Sequence, residues 1–482
     1  MIRAIVARAA ARGTRVSHAA IATAPSSARR WIACVVLLAG GFLPPADFFI
    51  VNVTLPSIHA SLHASPAQVQ LVIAGYGAAY AVFLVTGGRL GDLYGRRRMF
   101  LLGMAGFTLT NMLCGLATSA LALVIARVVQ GVTAALLVPQ VLGAMPTLFN
   151  DDRGLARAMS AYGIMMGLAA AAGQFGGGAL VAWSPWDLGW RGVFLLKLPV
   201  CLAVFAAAWL AVPETSTSRR ARLDGGGIVL LSAMLACLIL PLVEGRQLDW
   251  PPWTIAGLAC VPVLLAAFLA WEARFARRGG MPLLDLRLLR IASFRRGAAV
   301  AVLFFFTTPF YLLFGIYQQE GRGIDPLSTG LAFLPYGIGS FAGSIGSAPL
   351  PASLRPRLLT LGMVIQVAGY AAIGLGVANG LPPWQVTLAV FVAGFGQGIA
   401  LPRLCNVALG RVPPDKAGVA AGVINSLLQI GAAVAVAAIG SLFFAVLGGA
   451  HGEPAYAHAF GVAMIAVVAA LGLAMLATML RD

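Results

Sequence analysis

The chain has 482 residues, of which 60% are hydrophobic and 10% are charged, and its mean hydropathy is +0.89. Soluble domains carry about 25% charged residues, so a water-soluble fold is excluded and the chain is predicted to cross a lipid bilayer. The net charge of +17 would suit a nucleic-acid-binding protein. The positions of the basic residues, described below, predict no nucleic-acid partner.

Residues 1–30 are rich in Ala, Arg and Ser and contain no acid. This composition predicts a disordered, basic, cytoplasmic tail, with a transit peptide or a mis-assigned start codon as the alternatives. The apolar segment that follows is too long for a cleaved signal peptide.

The remaining chain alternates between long apolar runs and short polar connections. Continuous runs such as residues 298–316 predict helices, because the strands of a membrane barrel alternate apolar and polar residues. Fourteen runs have about the ~20 residues that a helix needs to cross the hydrocarbon. They are 31–56, 69–88, 99–118, 121–146, 157–182, 192–212, 225–243, 254–273, 297–317, 328–349, 358–378, 384–404, 418–447 and 457–480.

The basic residues predict the orientation of these segments. When the N-terminus is placed in the cytoplasm, nearly all Lys and Arg residues fall in cytoplasmic loops or at cytoplasmic helix ends, as the positive-inside rule requires. The exceptions are Arg127, Arg191, Lys197, Arg246 and Arg322. Both termini are then cytoplasmic, and the basic residues face the anionic inner leaflet of the lipid bilayer.

A weak internal repeat predicts the domain organisation. RRRMFLLGM at 96–104 is similar to RPRLLTLGM at 355–363, and Gln130-Gly131 has a counterpart in Gln397-Gly398. Repeated halves with a site at their interface are typical of transporters. We therefore predict an all-α membrane protein with a six-helix bundle at 31–212, a central two-helix insert with its linkers at 213–296, and a second six-helix bundle at 297–482.

A charged turn, GRLGDLYGRRR, occupies residues 88–98 between the second and third segments. Its glycines permit a tight turn, and Asp92 can pair with a nearby arginine or cap a helix. We predict a conformational switch that latches one state of the protein. For the arginines, simple anchoring to the inner leaflet is the alternative. The switch residues are Gly88, Asp92, Gly95, Arg96 and Arg97.

The same turn resembles the G-x-L-x-D-x-x-G-R-R/K signature of the major facilitator superfamily. Further stretches resemble its 14-helix drug:proton antiporter branch, of the EmrB/QacA type. They are ADFFIVNVTLPSI (46–58), ARVVQGVTAA (126–135), GQFGG (173–177), WRGVFLLKLP (190–199), VEGRQLDW (243–250), the LP of GLAFLP (330–335) and AGVAAGVINSLLQIGAAVAVAAIG (417–440). The resemblance covers residues 31–480.

The resemblance implies an antiporter motif in the fifth segment, with two departures from the branch. The motif residues are Gly173, Gln174, Gly176 and Gly177, and Gln174 stands where the branch usually has proline. Lys197 stands where the branch usually has asparagine, so we expect an additional cation in the periplasmic vestibule.

Asp47 lies about 16 residues into the first segment, about 24 Å along a helix. A carboxyl at that depth is functional by default, and the apolar surroundings favour its neutral form, so we predict a proton carrier. A structural hydrogen bond is the alternative. In the resembling family the arginine of the fourth helix lies near this acid, so we predict that Arg127 couples to Asp47. The alternative is that Arg127 reaches the periplasmic surface.

The predicted substrate cavity is lined by Tyr162, Tyr311, Asn425 and Gln429. Aromatic faces bind flat lipophilic cations, although most aromatic residues here pack between helices or face lipid. Asn425 and Gln429 share a helix face and either line the cavity or join helices. The thirteenth segment has no acid, which favours a low proton stoichiometry with neutral or monovalent cationic substrates.

Other functional classes have no support in the sequence. There is no HExxH, CxxC, GxSxG or Walker motif, and the six cysteines all lie in apolar runs. We therefore expect no enzyme activity, no metal and no cofactor. Without an ATP site, a transporter must draw on an ion gradient, and Asp47 together with the family resemblance implies that the ion is the proton. His59 and His63 are four residues apart, but an exposed loop pair is expected there rather than a metal site.

These observations predict a proton-coupled antiporter of the bacterial inner membrane that exports lipophilic, cationic or neutral drugs by alternating access. A dedicated exporter of one metabolite, such as a siderophore, an amino acid or a self-made toxin, is the alternative. The expected partners are a small-molecule substrate, protons and lipid. A periplasmic adaptor protein is left open, and otherwise a monomer is expected.

Overall fold

The computed structural model is helical, with no β-strand in the residues it describes. Those residues are 27–149, 151–214, 224–245, 248–280, 282–347, 355–409, 412 and 417–479. Residues 1–26 of the predicted disordered tail lie outside the described part of the chain. Residues 27–30 were also predicted to be disordered, but they form the first turn of the first helix.

Seventeen α-helices run through these residues. They are α1 (Ser27–Leu62), α2 (Pro66–Tyr94), α3 (Arg96–Gly115), α4 (Ala120–Leu148), α5 (Asp152–Trp183), α6 (Gly192–Leu195), α7 (Leu198–Ala211), α8 (Gly225–Glu244), α9 (Pro252–Arg277), α10 (Ala292–Phe304), α11 (Pro309–Ile316), α12 (Pro326–Ala332), α13 (Leu334–Ser347), α14 (Arg355–Ala378), α15 (Pro383–Leu409), α16 (Ala417–Leu447) and α17 (Glu453–Met479). A π-helical turn at Tyr317–Gly321 extends α11.

Every predicted apolar segment falls on helix, but not every one has the length and composition of a membrane span. Among the described residues, eleven spans meet both requirements. The three segments outside this group fall on α3, on the glycine-rich α5, and on α12 with α13, where Phe333 separates two short helices. A multi-pass membrane protein follows from the eleven spans, and fourteen crossings remain a prediction.

In the first half of the chain, glycines bring helices into close contact. A methyl group on Gly87 of α2 would lie 2.0 Å from the carbonyl oxygen of Ala135 on α4, and one on Gly131 would lie 2.4 Å from that of Tyr76. Close approach through small residues is how helices associate in lipid, where the hydrophobic effect between them is absent. The α2–α4 pair therefore forms a tightly packed frame for the polar residues on it.

The second half repeats this arrangement between α13 and α15. A methyl group on Gly394 would lie 2.1 Å from the carbonyl oxygen of Tyr336, and one on Gly398 would lie 1.9 Å from that of Ser340. The helices of the central insert, α8 and α9, pack against each other, and α8 also contacts α2 and α16. The Ser441 hydroxyl of α16 donates a hydrogen bond of 2.5 Å to the carbonyl oxygen of Leu242 on α8. The insert therefore lies beside a contact between the two halves.

The halves contact each other directly through α2 with α16, through α1 with α11 and α12, and through α5 with α12 and α13. At the end where α1 finishes, the His59 ring lies 3.1 Å from the Glu320 carboxylate, and the Gln319 side chain donates a hydrogen bond of 2.8 Å to the Val53 carbonyl. A methyl on Gly178 of α5 would lie 2.2 Å from the Pro326 carbonyl of α12. This end, predicted to be periplasmic, is therefore held by several polar and close-packed contacts.

Asp325 caps α12 beside this contact. Its carboxylate accepts a hydrogen bond of 3.0 Å from the backbone N–H of Ser328, and the hydrogen bonds with Ser328 lower the pKa of the Asp325 carboxyl. An ionised N-cap stabilises a helix start, which fixes the position of Pro326 against α5.

Candidate functional site

Asp47 lies within α1 and its side chain is fully buried. Pro44 and Pro45 precede it in the interior of the helix, and the Tyr76 hydroxyl donates a hydrogen bond of 3.2 Å to the Pro44 carbonyl. Prolines remove backbone donors, so the carbonyls of this turn need other partners. The sequence therefore places a carboxyl at a locally weakened turn of α1.

Arg127 of α4 forms an ion pair with Asp47 through Nη1 and Oδ2. The same Nη1 donates a hydrogen bond of 2.6 Å to Gln130 Oε1, and Nε donates one of 3.2 Å to the Val72 carbonyl. The guanidinium lies 4.2 Å from the centre of the Tyr76 ring. Arg127 has no exposed surface, so it does not reach the surface as the alternative required. Its role in coupling remains a prediction.

Lys197 is the third member of this charged cluster. Its Nζ pairs with Oδ1 of Asp47, so each carboxylate oxygen of Asp47 has a cation of its own. The Lys197 side chain is 12% exposed and its Nζ lies 5.2 Å from the centre of the Phe194 ring. The structure therefore puts this cation directly on the buried acid, because α7, which Lys197 precedes as N-cap residue, packs against α1. With all three groups ionised, the cluster carries one net positive charge.

The glycines of the predicted antiporter motif bring α5 against α1 next to Asp47. A methyl group on Gly173 would lie 2.6 Å from the carbonyl oxygen of Ala46, and one on Gly177 would lie 2.7 Å from that of Ile50. Gly176 has open space where a methyl would be. Gln174 lies on α5, and its side chain falls outside the described part of the chain. Two motif glycines thus serve helix contact beside the acid.

The switch residues form a connected turn between α2 and α3. Arg96 Nη2 lies 2.5 Å from Asp92 Oδ1, and a methyl on Gly143 of α4 would lie 1.2 Å from Arg96 Nη1. Gly95 has φ of +100°, a conformation that favours glycine. A methyl group on Gly88 would lie 3.5 Å from Cβ of Pro139 on α4, which is an ordinary contact distance.

Glu214, after α7, is a partner of this turn that the sequence did not predict. Its carboxylate accepts a hydrogen bond of 3.3 Å from the backbone N–H of Arg97 and lies 3.5 Å from Arg98. The Arg97 guanidinium donates to the Trp209 carbonyl of α7. An acid directly after an apolar run, facing a run of arginines, was the available signal. The turn therefore ties α2 and α3 to α4 and to the end of α7.

Arg89 is a second residue of the turn whose role sequence reasoning missed. Its guanidinium donates a hydrogen bond to the Pro282 carbonyl and lies close enough to Asp224, Glu272 and Asp92 to interact with them electrostatically. The turn therefore also reaches the central insert.

The residues assigned to the substrate cavity lie on three helices. Tyr311 is buried on α11, 5.1 Å from Phe49 of α1 between ring centres, and so lies where the halves meet. Tyr162 packs against the core of the first half, near Tyr80. Asn425 and Gln429 are half-buried on α16. They lie on the face that presents Gly422 and Ala433 to α2. This leaves both alternatives, cavity lining and helix contact, in place.

The second half contains an uncharged counterpart of the Asp47 cluster. Gln397 Oε1 accepts hydrogen bonds of 2.5 Å from the Tyr336 hydroxyl and of 2.9 Å from the Gln366 side chain. Tyr336 and Tyr370 hydroxyls are 3.1 Å apart. Gln397 is the repeat partner of Gln130, and Gly394 stands where the first half has Arg127. This network therefore contains no charged residue, unlike the cluster around Asp47.

Comparisons with known proteins agree with this fold. The family Major Facilitator Superfamily matches residues 37–436. The "Probable actinorhodin transporter" of Streptomyces coelicolor is 38% identical over 88% of this chain and 74% of its own length. The "Puromycin resistance protein pur8" of Streptomyces alboniger is 33% identical, over 86% and 82% respectively. "Multidrug resistance protein Stp" of Mycobacterium tuberculosis is 32% identical, over 85% and 75%.

A solved structure shares the fold. The bacterial homolog of the human lysosomal transporter Spinster superposes with a TM-score of 0.68 at 16% identity, covering 94% of this chain and 98% of its own. The family model and the relatives therefore indicate the family, and the solved structure shows the same fold.

Proposed function

Because the chain belongs to the Major Facilitator Superfamily, and its relatives include proteins named for drug resistance and for drug export, we propose that it is a proton-coupled antiporter that exports apolar drugs. The observation that supports this is the buried carboxyl of Asp47, held between Arg127 and Lys197. An isolated buried charge is costly, so the state of this acid controls whether the cluster is stable.

The proposed cycle follows from the charges. When Asp47 takes a proton from the periplasm, it becomes neutral and loses both ion pairs, so α1, α4 and α7 lose the contacts that fixed them. When Asp47 faces the cytoplasm, Arg127 and Lys197 favour release of the proton, because opposite charges stabilise the ionised form. The proton gradient drives the cycle, and its electrical part supplies about 2.3 kcal/mol per charge per 100 mV. The turn at residues 88–98 alternately forms and breaks its contacts.

Lys197 bears on the class of substrate. A cationic drug can pair with Asp47 only if Lys197 moves away, since both carboxylate oxygens already have a cation. A neutral drug meets no such competition. We therefore propose that neutral apolar compounds are better substrates than monovalent cations, within the lipophilic class that the sequence predicts.

The topology belongs to the same proposal. We place the protein in the bacterial inner membrane with fourteen crossings and both termini in the cytoplasm, and we keep the division at residues 212 and 296. This assignment rests on the distribution of Lys and Arg. Action as a monomer, or with a periplasmic adaptor, stays a prediction.

The decisive experiment is efflux of ethidium and of a neutral lipophilic dye from energised cells, with wild type, Asp47→Asn and Asp187→Asn. Asn keeps the size of Asp47 but cannot release a proton, so export is expected to fall to the level of empty cells. Asp187 is exposed in a loop, so its variant is expected to match wild type. A protonophore should stop wild-type export. Normal export by Asp47→Asn, at equal membrane abundance, would overturn the proposed coupling.

A dedicated exporter of one metabolite is the second candidate. Relatives such as the "Tetracenomycin C resistance and export protein" of Streptomyces glaucescens are named for a single compound. Competition between unrelated dyes separates the two functions, because a dedicated exporter should transport none of them. In that case metabolite libraries replace the dyes in the same Asp47→Asn comparison.

A further inference from the structure

Two buried acids face each other where the central insert meets the switch turn. Asp224 is the N-cap of α8 and is 2% exposed, and Glu272 of α9 has no exposed surface. Neither residue takes part in the proposed cycle of Asp47. Buried carboxyls are rare unless a partner or a function retains them.

In each of the two carboxyl groups, one oxygen accepts hydrogen bonds from neighbouring donors. Asp224 Oδ1 accepts hydrogen bonds of 2.8 Å from the backbone N–H of Gly227 and of 2.7 Å from the Trp271 indole. Glu272 Oε2 accepts one of 2.8 Å from the backbone N–H of Leu284. These contacts fix the orientation of both side chains.

The other two oxygens converge on one point and lack a donor. Asp224 Oδ2 and Glu272 Oε1 are buried and have no hydrogen-bond partner within the described ranges. A methyl group on Gly227 would lie 2.6 Å from the first and 2.5 Å from the second. Two ionised oxygens so close together repel, and each also loses its hydration. One proton between them supplies the missing donor and removes one charge.

The neighbouring charges favour a single proton. Arg89 of α2 is the cation that acts on both acids, and Asp92 of α2 acts on Arg89 in turn. When the pair holds one proton, the single remaining carboxylate charge is balanced by the positive charge of Arg89. When the pair holds no proton, two carboxylate charges face one guanidinium, which leaves a buried excess negative charge. Helix α16, which also packs against α8, carries no titratable residue in its sequence.

We propose that Asp224 and Glu272 form a second proton-binding site, in which the two carboxyls share one proton and Arg89 connects its occupancy to the switch turn. Loss of the proton strengthens the pull on Arg89, which lies in the same turn of helix as Gly88 and Asp92. The central insert thereby responds to cytoplasmic pH and changes the stability of the contacts made by the turn at residues 88–98. Proton binding stands independently of the proposed export, whereas the effect on transport rests on it.

Infrared difference spectroscopy on the purified full-length protein tests the site directly. In an Asp47→Asn background, which removes the other fully buried carboxyl of the described residues, a pH change should still produce the carbonyl band of a protonated carboxyl. Glu272→Gln and Asp224→Asn, each added to that background, should abolish it. Either amide can donate to the remaining carboxylate, and Asn still caps α8, so both proteins should fold. Asp249→Asn, at an exposed loop acid, should leave the band intact.

Three outcomes would overturn the site. They are persistence of the band in both variants, its absence from the Asp47→Asn protein itself, and its removal by sodium or magnesium chloride at constant pH, which would make the pair a cation site.

Transport gives the second measurement, in a chain whose Asp47 is intact. Glu272→Gln mimics the protonated pair, so export should continue at a rate within about threefold of wild type and should depend less steeply on cytoplasmic pH, because only the dependence caused by Asp47 remains. An unchanged pH profile would overturn the link to the switch while leaving the infrared result in place. Absence of export in the wild type would contradict the proposed function, and the infrared experiment would still decide the proton site.

Discussion

At the scale of single residues, the centre of the molecule is an acid with two cations. Arg127 belongs to the pattern that the chain shares with its family, whereas Lys197 is a departure from it. Both side chains contact Asp47, from positions 80 and 150 residues away in the chain. Because Lys197 is present, both carboxylate oxygens of Asp47 have a cationic partner within the protein. A site without this lysine would leave one oxygen able to pair with a cationic substrate.

Replacing Lys197 with Asn, the usual residue of the branch, is expected to favour cationic drugs. Removing a positive charge within about 5 Å of the bound cation changes the interaction by up to about 3 kcal/mol at an effective dielectric constant of ~20. We expect the ratio of ethidium efflux to neutral-dye efflux to rise at least about tenfold. Lys197→Arg keeps the charge and serves as the control. Equal ratios of ethidium to neutral-dye efflux in Lys197→Asn and Lys197→Arg would show that the charge at position 197 does not determine which substrates are exported.

At the scale of helices, glycines decide which surfaces can touch. Gly173 and Gly177 place α5 against the carbonyls of α1 on either side of Asp47, while Gly176 faces open space. The same motif thus contains two positions with no room for a side chain and one position where a side chain would fit. The distinction depends on helix orientation, which the motif alone does not show.

Gly177→Ala and Gly176→Ala form a matched pair for this contact. The first puts a methyl 2.7 Å from the Ile50 carbonyl, so α5 must move away from α1, and we expect export to fall several-fold. The second meets no atom, and alanine stabilises a helix relative to glycine by about 1 kcal/mol, so export and thermal stability should be unchanged or higher. Efflux rates at equal abundance are the measurement. Equal loss in both variants would refute this account of the contact.

At the scale of the whole molecule, the two halves are asymmetric. The first half holds the ionised cluster, and the second holds a neutral network of Tyr336, Gln366, Tyr370 and Gln397 around an aromatic core. The halves meet at the predicted periplasmic end through His59 with Glu320. Alternating access requires these contacts to break in every cycle.

Fixing this end should stop the cycle. In His59→Cys with Glu320→Cys, a short bifunctional thiol reagent is expected to reduce export by at least about tenfold, because the native side chains are only 3.1 Å apart. A cleavable reagent should restore export after reduction. The two single variants treated with the same reagent control for simple modification. Full export by the crosslinked protein would contradict a role of this contact in closure.

The sequence by itself determined that this protein is a helical membrane protein and which family it belongs to, and its orientation in the membrane stays a prediction. Apolar runs and capping residues act locally, so they can be found in a linear pattern, and Asp47 was identifiable because a carboxyl in a long apolar run is costly. Tertiary structure alone decided that Lys197 pairs with Asp47, that Glu214 and Arg89 extend the switch turn, and that Asp224 meets Glu272. These pairs come from helices far apart in the chain, and their contact depends on helix rotation and close packing at glycines, which no local pattern encodes.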